Sequence, residues 1–310
     1  MRSPVYSLSI YLNAYFVVTY FLLSRLQDTF YTFHTFYRAA THIMGRTLTY
    51  PKRVSNTANR YKHRATYDLG PIHSIINDSQ VLHVSFNPGP DDPFPAILPM
   101  IGQMGSFDFP SASIDEPLDC YLHGYVSSRI MNLARNCSDG DGLPICVATS
   151  KVDGLILSLT PNSHSYNYRS AILHGYATLV TGEEEKLWAM KLITNSVLAD
   201  RWDHSRVPPD RAEMQSTVIL KVKIVDGSGK IRDGGVSDER KDSGSEQVTG
   251  SVWTGVVPVW ETFGTPIPSG DGKVAEVPEY INSYIASKNS RNKALAESAA
   301  KIPLPSEEQH

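Results

Sequence analysis

A chain of 310 residues, 41% hydrophobic and 20% charged, is long enough to bury a substantial core in one large domain or two small ones. Its formal net charge of -3 gives no electrostatic reason to bind nucleic acid, which argues against that class of partner. Three cysteines without a paired spacing, Cys120, Cys137 and Cys146, argue against a disulfide framework and a structural zinc site and fit a reducing, cytoplasmic compartment.

From Ser3 to Ser24 no residue is charged, and Arg2 and Arg25 flank the run. A membrane span needs about 20 mostly apolar residues, but Ser7, Ser9, Asn13, Thr19 and several tyrosines interrupt this one. No small-residue cleavage site follows it. Two readings stand: a membrane anchor, or an extension outside the working protein, favoured because Met44 lies just ahead of the first patterned stretch. Membrane contact is expected only if residues 3–24 are retained. The expected layout is an extension over 1–45, a working domain over 46–290 and a polar tail over 291–310.

Residues 50–68 are polar and basic and lead into a helix at 68–79, capped by Asp68, with Ile72, Ile75 and Ile76 inward. VLHVSF (81–86) alternates as a strand, and NPGPDDPFP breaks it. AILPMIG follows as a second strand. Its Pro99 cannot donate to a ladder and so belongs at an edge or bulge. A kink there frees backbone groups of Pro99, Met100 and Ile101 to face a flat ring.

Asp119–Arg135, DCYLHGYVSSRIMNLAR, reads as a strand, a turn at Gly124, and a helix opening at Ser127 or Ser128. Two hydroxyls and Arg129 at a helix start make an anion site: free N–H groups and the dipole point at the ligand. The plainer alternative is an N-cap serine beside a solvated arginine.

Strands are expected at 143–150 and 154–159, joined by a KVDG hairpin, and then at AILHGYATLV. EEEKLWAMKLITNSVL (183–198) is an amphipathic helix with Leu187, Met190, Ile193 and Val197 on one face. STVILKVKIVDG (216–227) is the clearest strand, 226–250 reads as a loop, VWTGVVPVW as a strand, and EYINSYIASKN as a last helix. Many short strands with few helices predict a mainly β (α+β) fold, an antiparallel barrel.

HSYNYRS (164–170) places His164, Ser165, Tyr166, Tyr168 and Arg169 between two strands, at a barrel rim. Arg169 there is either a second cation for a ligand or the partner of a local carboxylate. His83 and His174 fall within apolar strands, which suggests hydrogen-bonded core histidines. No HExxH, GxSxG, Walker loop or strand-linked GxGxxG is present, so no metal is expected.

The strand–HG–turn–SSR–helix pattern resembles the phosphate-gripping segment of the pyridoxamine 5′-phosphate oxidase-like, FMN-binding split-barrel proteins. The nitroimidazole-resistance-like, or flavin-nucleotide-binding, branch is the nearest. PFPAILPMIGQ (93–103), GLILSLTPNSHSYNYRSAILHGYATLV (154–180) and VWTGVVPVW (252–260) agree, so the resemblance covers roughly residues 50 to 285. It implies an antiparallel split β-barrel with a few flanking helices, and a homodimer holding FMN at the subunit interface. The backbone of Leu98, Pro99, Met100 and Ile101 and of His123–Gly124 would flank the ring. Ser127, Ser128 and Arg129 would hold the phosphate, and His164, Ser165, Tyr168 and Arg169 would complete the pocket. The implied activity is redox of a small organic substrate (nitro, quinone or related), with NAD(P)H or oxygen as the other reactant. This chain has Ser-Arg-Ile at 128–130 where the strict oxidases carry Ser-Arg-Lys, and it shows no pyridoxal-phosphate cluster, so that particular activity is not expected. Two alternatives remain: a haem-binding barrel using His123 or His164, and a flavin-binding module without turnover.

Overall fold

The computed structural model describes residues 47–137, 140–274 and 276–303. The expectations for residues 1–45 lie outside them. Among the described residues nine strands make one sheet: β1 (Ala65–Thr66), β2 (Leu82–Phe86), β3 (Ala96–Met100), β4 (Gly102–Gly105), β5 (Asp119–Tyr125), β6 (Leu143–Leu157), β7 (Ser165–Leu179), β8 (Thr217–Arg232) and β9 (Gly255–Pro258). The helices are α1 (Leu69–Asn77), α2 (Arg129–Asn136), α3 (Glu183–Val197), α4 (Arg211–Ser216), the single turns α5 (Arg240–Ser243) and α6 (Glu246–Thr249), and α7 (Glu279–Lys301).

Every strand pairing is antiparallel. The sheet runs β3-β2-β6-β7-β8-β5-β4, with β1 added on β8 and β9 on β6. The two ends of that path, β3 and β4, are separated in sequence by Ile101 alone. One stretch, 96–105, therefore serves both edges, and the sheet must curl until they meet. At the junction the Ile101 carbonyl accepts from the His123 N–H of β5 at 2.9 Å. This chain segment closes the barrel.

Period-two alternation fills the interior: Leu82, Val84 and Phe86 of β2 are buried, as are Ile145 and Val147 of β6 and Leu220 and Val222 of β8. Helix α1 lays Ile72, Ile75 and Ile76 into the same cluster. On α1, His73 is fully buried yet satisfied: its Nδ1 faces the Ile114 carbonyl at 2.7 Å and its Nε2 the Tyr50 hydroxyl at 2.6 Å. A carbonyl only accepts, so Nδ1 carries the proton and Tyr50 donates to Nε2. Outside the barrel, α3 packs Ala189 and Ile193 against Tyr121 and Ile219. Its Glu185 accepts from the Tyr121 hydroxyl at 2.8 Å and from Lys221 at 2.9 Å.

Several expectations need correction. KVDG is not a hairpin: β6 runs through it, with a bulge between Val152 and Gly154. A glycine inside a strand marks a bulge as readily as a turn. The hairpin is 158–164, closed by the Ser158 N–H donating to His164 Nδ1 at 2.9 Å and the Ser158 hydroxyl donating to the Ser163 carbonyl at 2.9 Å. β8 continues to Arg232, so 228–232 is strand rather than loop. Val197 on α3 is exposed, outside that helix's buried face. The last helix extends to Lys301 with Ala296 buried, so part of the polar tail is a packed helix. Among the described residues no helix is long and apolar enough to cross a membrane.

Candidate functional site

At the end of β5 the Tyr125 carbonyl accepts from the Ser128 N–H at 3.0 Å. That turn reverses the chain into α2. Ser128 is the N-cap residue in extended conformation, but its side chain makes no capping bond. Its hydroxyl oxygen is buried and has no hydrogen-bond partner among the described residues. The backbone N–H groups of Arg129, Ile130 and Met131, in the first turn, likewise have no intrahelical acceptor. Arg129 is exposed, and no hydrogen bond or ion pair engages it among the described residues. Ile130 and Met131, both fully buried, fix the helix to the barrel. The Met131 Cε packs against Gly124, 2.2 Å from where a Cβ would stand.

A buried hydroxyl left unpaired costs about 1–3 kcal/mol. An anion with several acceptor oxygens removes that cost and meets the helix N–H groups and the Arg129 guanidinium together. The donor set fits a phosphate monoester.

The barrel seam adjoins this helix start, because Met100 Cε lies 3.5 Å from the Gly124 Cβ position. β3 is the terminal strand of the sheet path, the edge position that Pro99 required. Pro99 and Ile101 are exposed while Met100 points inward. His123, on β5, is exposed on the outer face, and partial desolvation holds its pKa below the usual histidine range. The Ile101–His123 hydrogen bond and the Met100–Gly124 contact join the seam to β5, whose end leads into Ser127, Ser128 and Arg129.

The residues 164–169 play a different part within the chain. His164 accepts from the Ser158 N–H to close the hairpin. Arg169 grips Asp153 with two bonds, Nε to Oδ2 at 2.8 Å and Nη2 to Oδ1 at 2.9 Å, and lies 3.8 Å from Asp78. Burial opposes its charge, but the Asp153 hydrogen bond and the carboxylates around it prevail and hold its pKa above the usual value. The local-carboxylate alternative describes Arg169. Ser165 and Tyr168 are half-buried in β7, and no hydrogen bond or ion pair joins the 164–169 set to 127–129.

Asp78 gathers Arg169, Lys288 at 3.6 Å and Arg291 at 2.8 Å, so this cluster ties α7 to the end of α1. The sequence hides it, because the cluster spans more than 200 residues from Asp78 to Arg291. The sequence suggests a core histidine at 83, but His83 lies exposed on the outer face, opposite Pro99. His174 is hydrogen-bonded, as expected, to Asp226 at 2.7 Å, yet it sits half-exposed on the sheet rather than in the core. Cys120 is buried and its thiol is pushed up to about 12, the mark of an inert group.

A closed antiparallel barrel with a short helix opening beside its seam defines a split-barrel protein. The chain belongs to the pyridoxamine 5′-phosphate oxidase family, whose model matches residues 68–231. No curated protein matches it. Among solved structures, a flavocytochrome from Azotobacter vinelandii superposes with a TM-score of 0.61 at 22% identity, covering 75% of this chain and 97% of its own. The FAD and haem binding protein from Mycobacterium smegmatis superposes with a TM-score of 0.58 at 19% identity, covering 72% and 97%. At these identities the likeness is one of fold.

Proposed function

We propose that this protein binds a flavin nucleotide, FMN, with its 5′-phosphate on the start of α2 and its planar head across the Pro99–Ile101 seam. The observation that carries the reading is the buried Ser128 hydroxyl, without a partner among the described residues, on the residue that precedes the first-turn N–H groups and Arg129. When bound, the flavin supplies the electron-transfer chemistry. Ser128 and Arg129 fix the phosphate, and the backbone at 99–101 and the His123 ring bound the planar head. The working unit is a homodimer. The chain acts as an oxidoreductase on a small organic substrate such as a nitro compound or quinone, with a nicotinamide reductant.

The test is the visible spectrum of the purified protein, with mass analysis of what it releases on denaturation. A flavin spectrum with FMN released supports the reading, and release of FAD moves the cofactor to the dinucleotide. A haem Soret band favours a second reading. His123 motivates that one, since its ring nitrogens have no partner among the described residues, and both solved structures above are named for haem or cytochrome content. A colourless protein that refuses added FMN rejects both.

A further inference from the structure

The outer face of β2 carries one imidazole, His83, in an apolar field. Directly across β3 stands Pro99, and directly across β6 stands Ala148, followed on β7 by Ile172. Ile97 lies two residues from Pro99 on the same face. Val81, Ile97, Ile101 and Ile172 are all exposed, Ile97 to 59%. Pro99 has no N–H, so its nitrogen must face the open edge of β3. That makes His83–Pro99 a non-hydrogen-bonded pair, the closer of the two antiparallel arrangements. The His83 ring therefore sits beside the Pro99 ring. Its nitrogens have no hydrogen-bond partner among the described residues.

Sites for planar ligands are mostly apolar with a few placed polar groups. This face has that character, and through Pro99 and Ile101 it reaches the seam, where the Ile101 carbonyl accepts from the His123 N–H. We infer that His83 belongs to the flavin site and supplies a side-chain hydrogen bond to the polar edge of the planar head. The inference rests on the flavin reading above and adds a residue on the side of the seam opposite His123. It commits this face to the cofactor head rather than to a second copy of the chain alone.

The test is equilibrium binding of FMN and of riboflavin to the full-length protein and to His83→Ala and His83→Gln. His83 is exposed, so both variants fold. His83→Ala is expected to weaken FMN and riboflavin by the same factor, about five- to tenfold, the scale of one net hydrogen bond. His83→Gln, which keeps a donor, is expected to retain most of the affinity. Arg129→Ala provides the contrast: it weakens FMN and leaves riboflavin unchanged. If the parent binds neither flavin, the flavin reading fails and this inference fails with it. If the parent binds FMN and His83→Ala binds it equally well, the inference alone is overturned. A changed oligomeric state with unchanged flavin affinity also overturns it and gives the face to the subunit contact.

Discussion

Ser128→Ala should move stability and binding in opposite directions. A helix N-cap serine normally accepts from a first-turn N–H, and its loss costs about 1 kcal/mol. Ser128 makes no such bond, and its hydroxyl is buried without a partner among the described residues. Removing it takes away a desolvation cost of about 1–3 kcal/mol and sacrifices no hydrogen bond. The flavin-free variant should therefore be more stable by about 1 kcal/mol, or about 2–4 °C in melting temperature for a domain of this size. Binding should suffer, because a hydrogen bond to a charged group contributes about 1.5–3 kcal/mol. That corresponds to FMN affinity lower by about 10- to 150-fold. Thermal melts of the flavin-free proteins and fluorescence titrations with FMN measure the two effects. A variant that melts lower by the usual capping cost and binds FMN unchanged would show that Ser128 is an ordinary cap and refute the phosphate site.

Arg129→Ala should weaken FMN by about 10- to 100-fold, the effect of one charge-assisted contact. Because the side chain is exposed and unpaired, the flavin-free melting temperature should not change; a large drop would assign Arg129 to the fold. Asp153→Ala leaves the Arg169 guanidinium with only the 3.8 Å contact to Asp78, and breaking a buried pair of this kind costs about 3 kcal/mol. An unshifted urea midpoint would contradict the structural role given to Arg169. Burial holds the His73 pKa below its ordinary value, so on acidification the unfolded chain takes the proton first. The His73 contribution is thus complete above about pH 6.5 and is lost as pH falls from there towards the depressed folded value. Urea midpoints at pH 7.5 and 5.5 should differ by less in His73→Gln than in the parent; an equal difference would place the acid sensitivity elsewhere.

The local signals were legible. Ile72, Ile75 and Ile76 at helical spacing ahead of VLHVSF gave α1 and β2, and SSR ahead of Ile130 and Met131 marked the start of α2. Pro99 announced an edge. Closure of the barrel was not legible, because it depends on residues 96–105 pairing with β2 on one side and β5 on the other, a fact of register rather than of pattern. Asp153-Gly154 carried a turn signal that the β6–β7 ladder overrode: the bulge aims the Asp153 carboxylate at Arg169, and the chain continues extended. His83 was misjudged for a related reason. In an alternating strand, position parity decides the face, and Leu82, Val84 and Phe86 take the inside. Reading VLHVSF by that alternation alone would have placed His83 on the outer face. The Asp78 cluster spans more than 200 residues, and no local window reports it.

One phosphate at one helix start anchors the proposed ligand, and the difference between FMN and riboflavin isolates it, since the two ligands share the planar head. Equilibrium titration of the parent protein with each should give FMN an affinity at least about 100-fold higher, from Ser128, Arg129 and the first-turn N–H groups acting together. Equal affinity for the two, or none for either, would contradict the account.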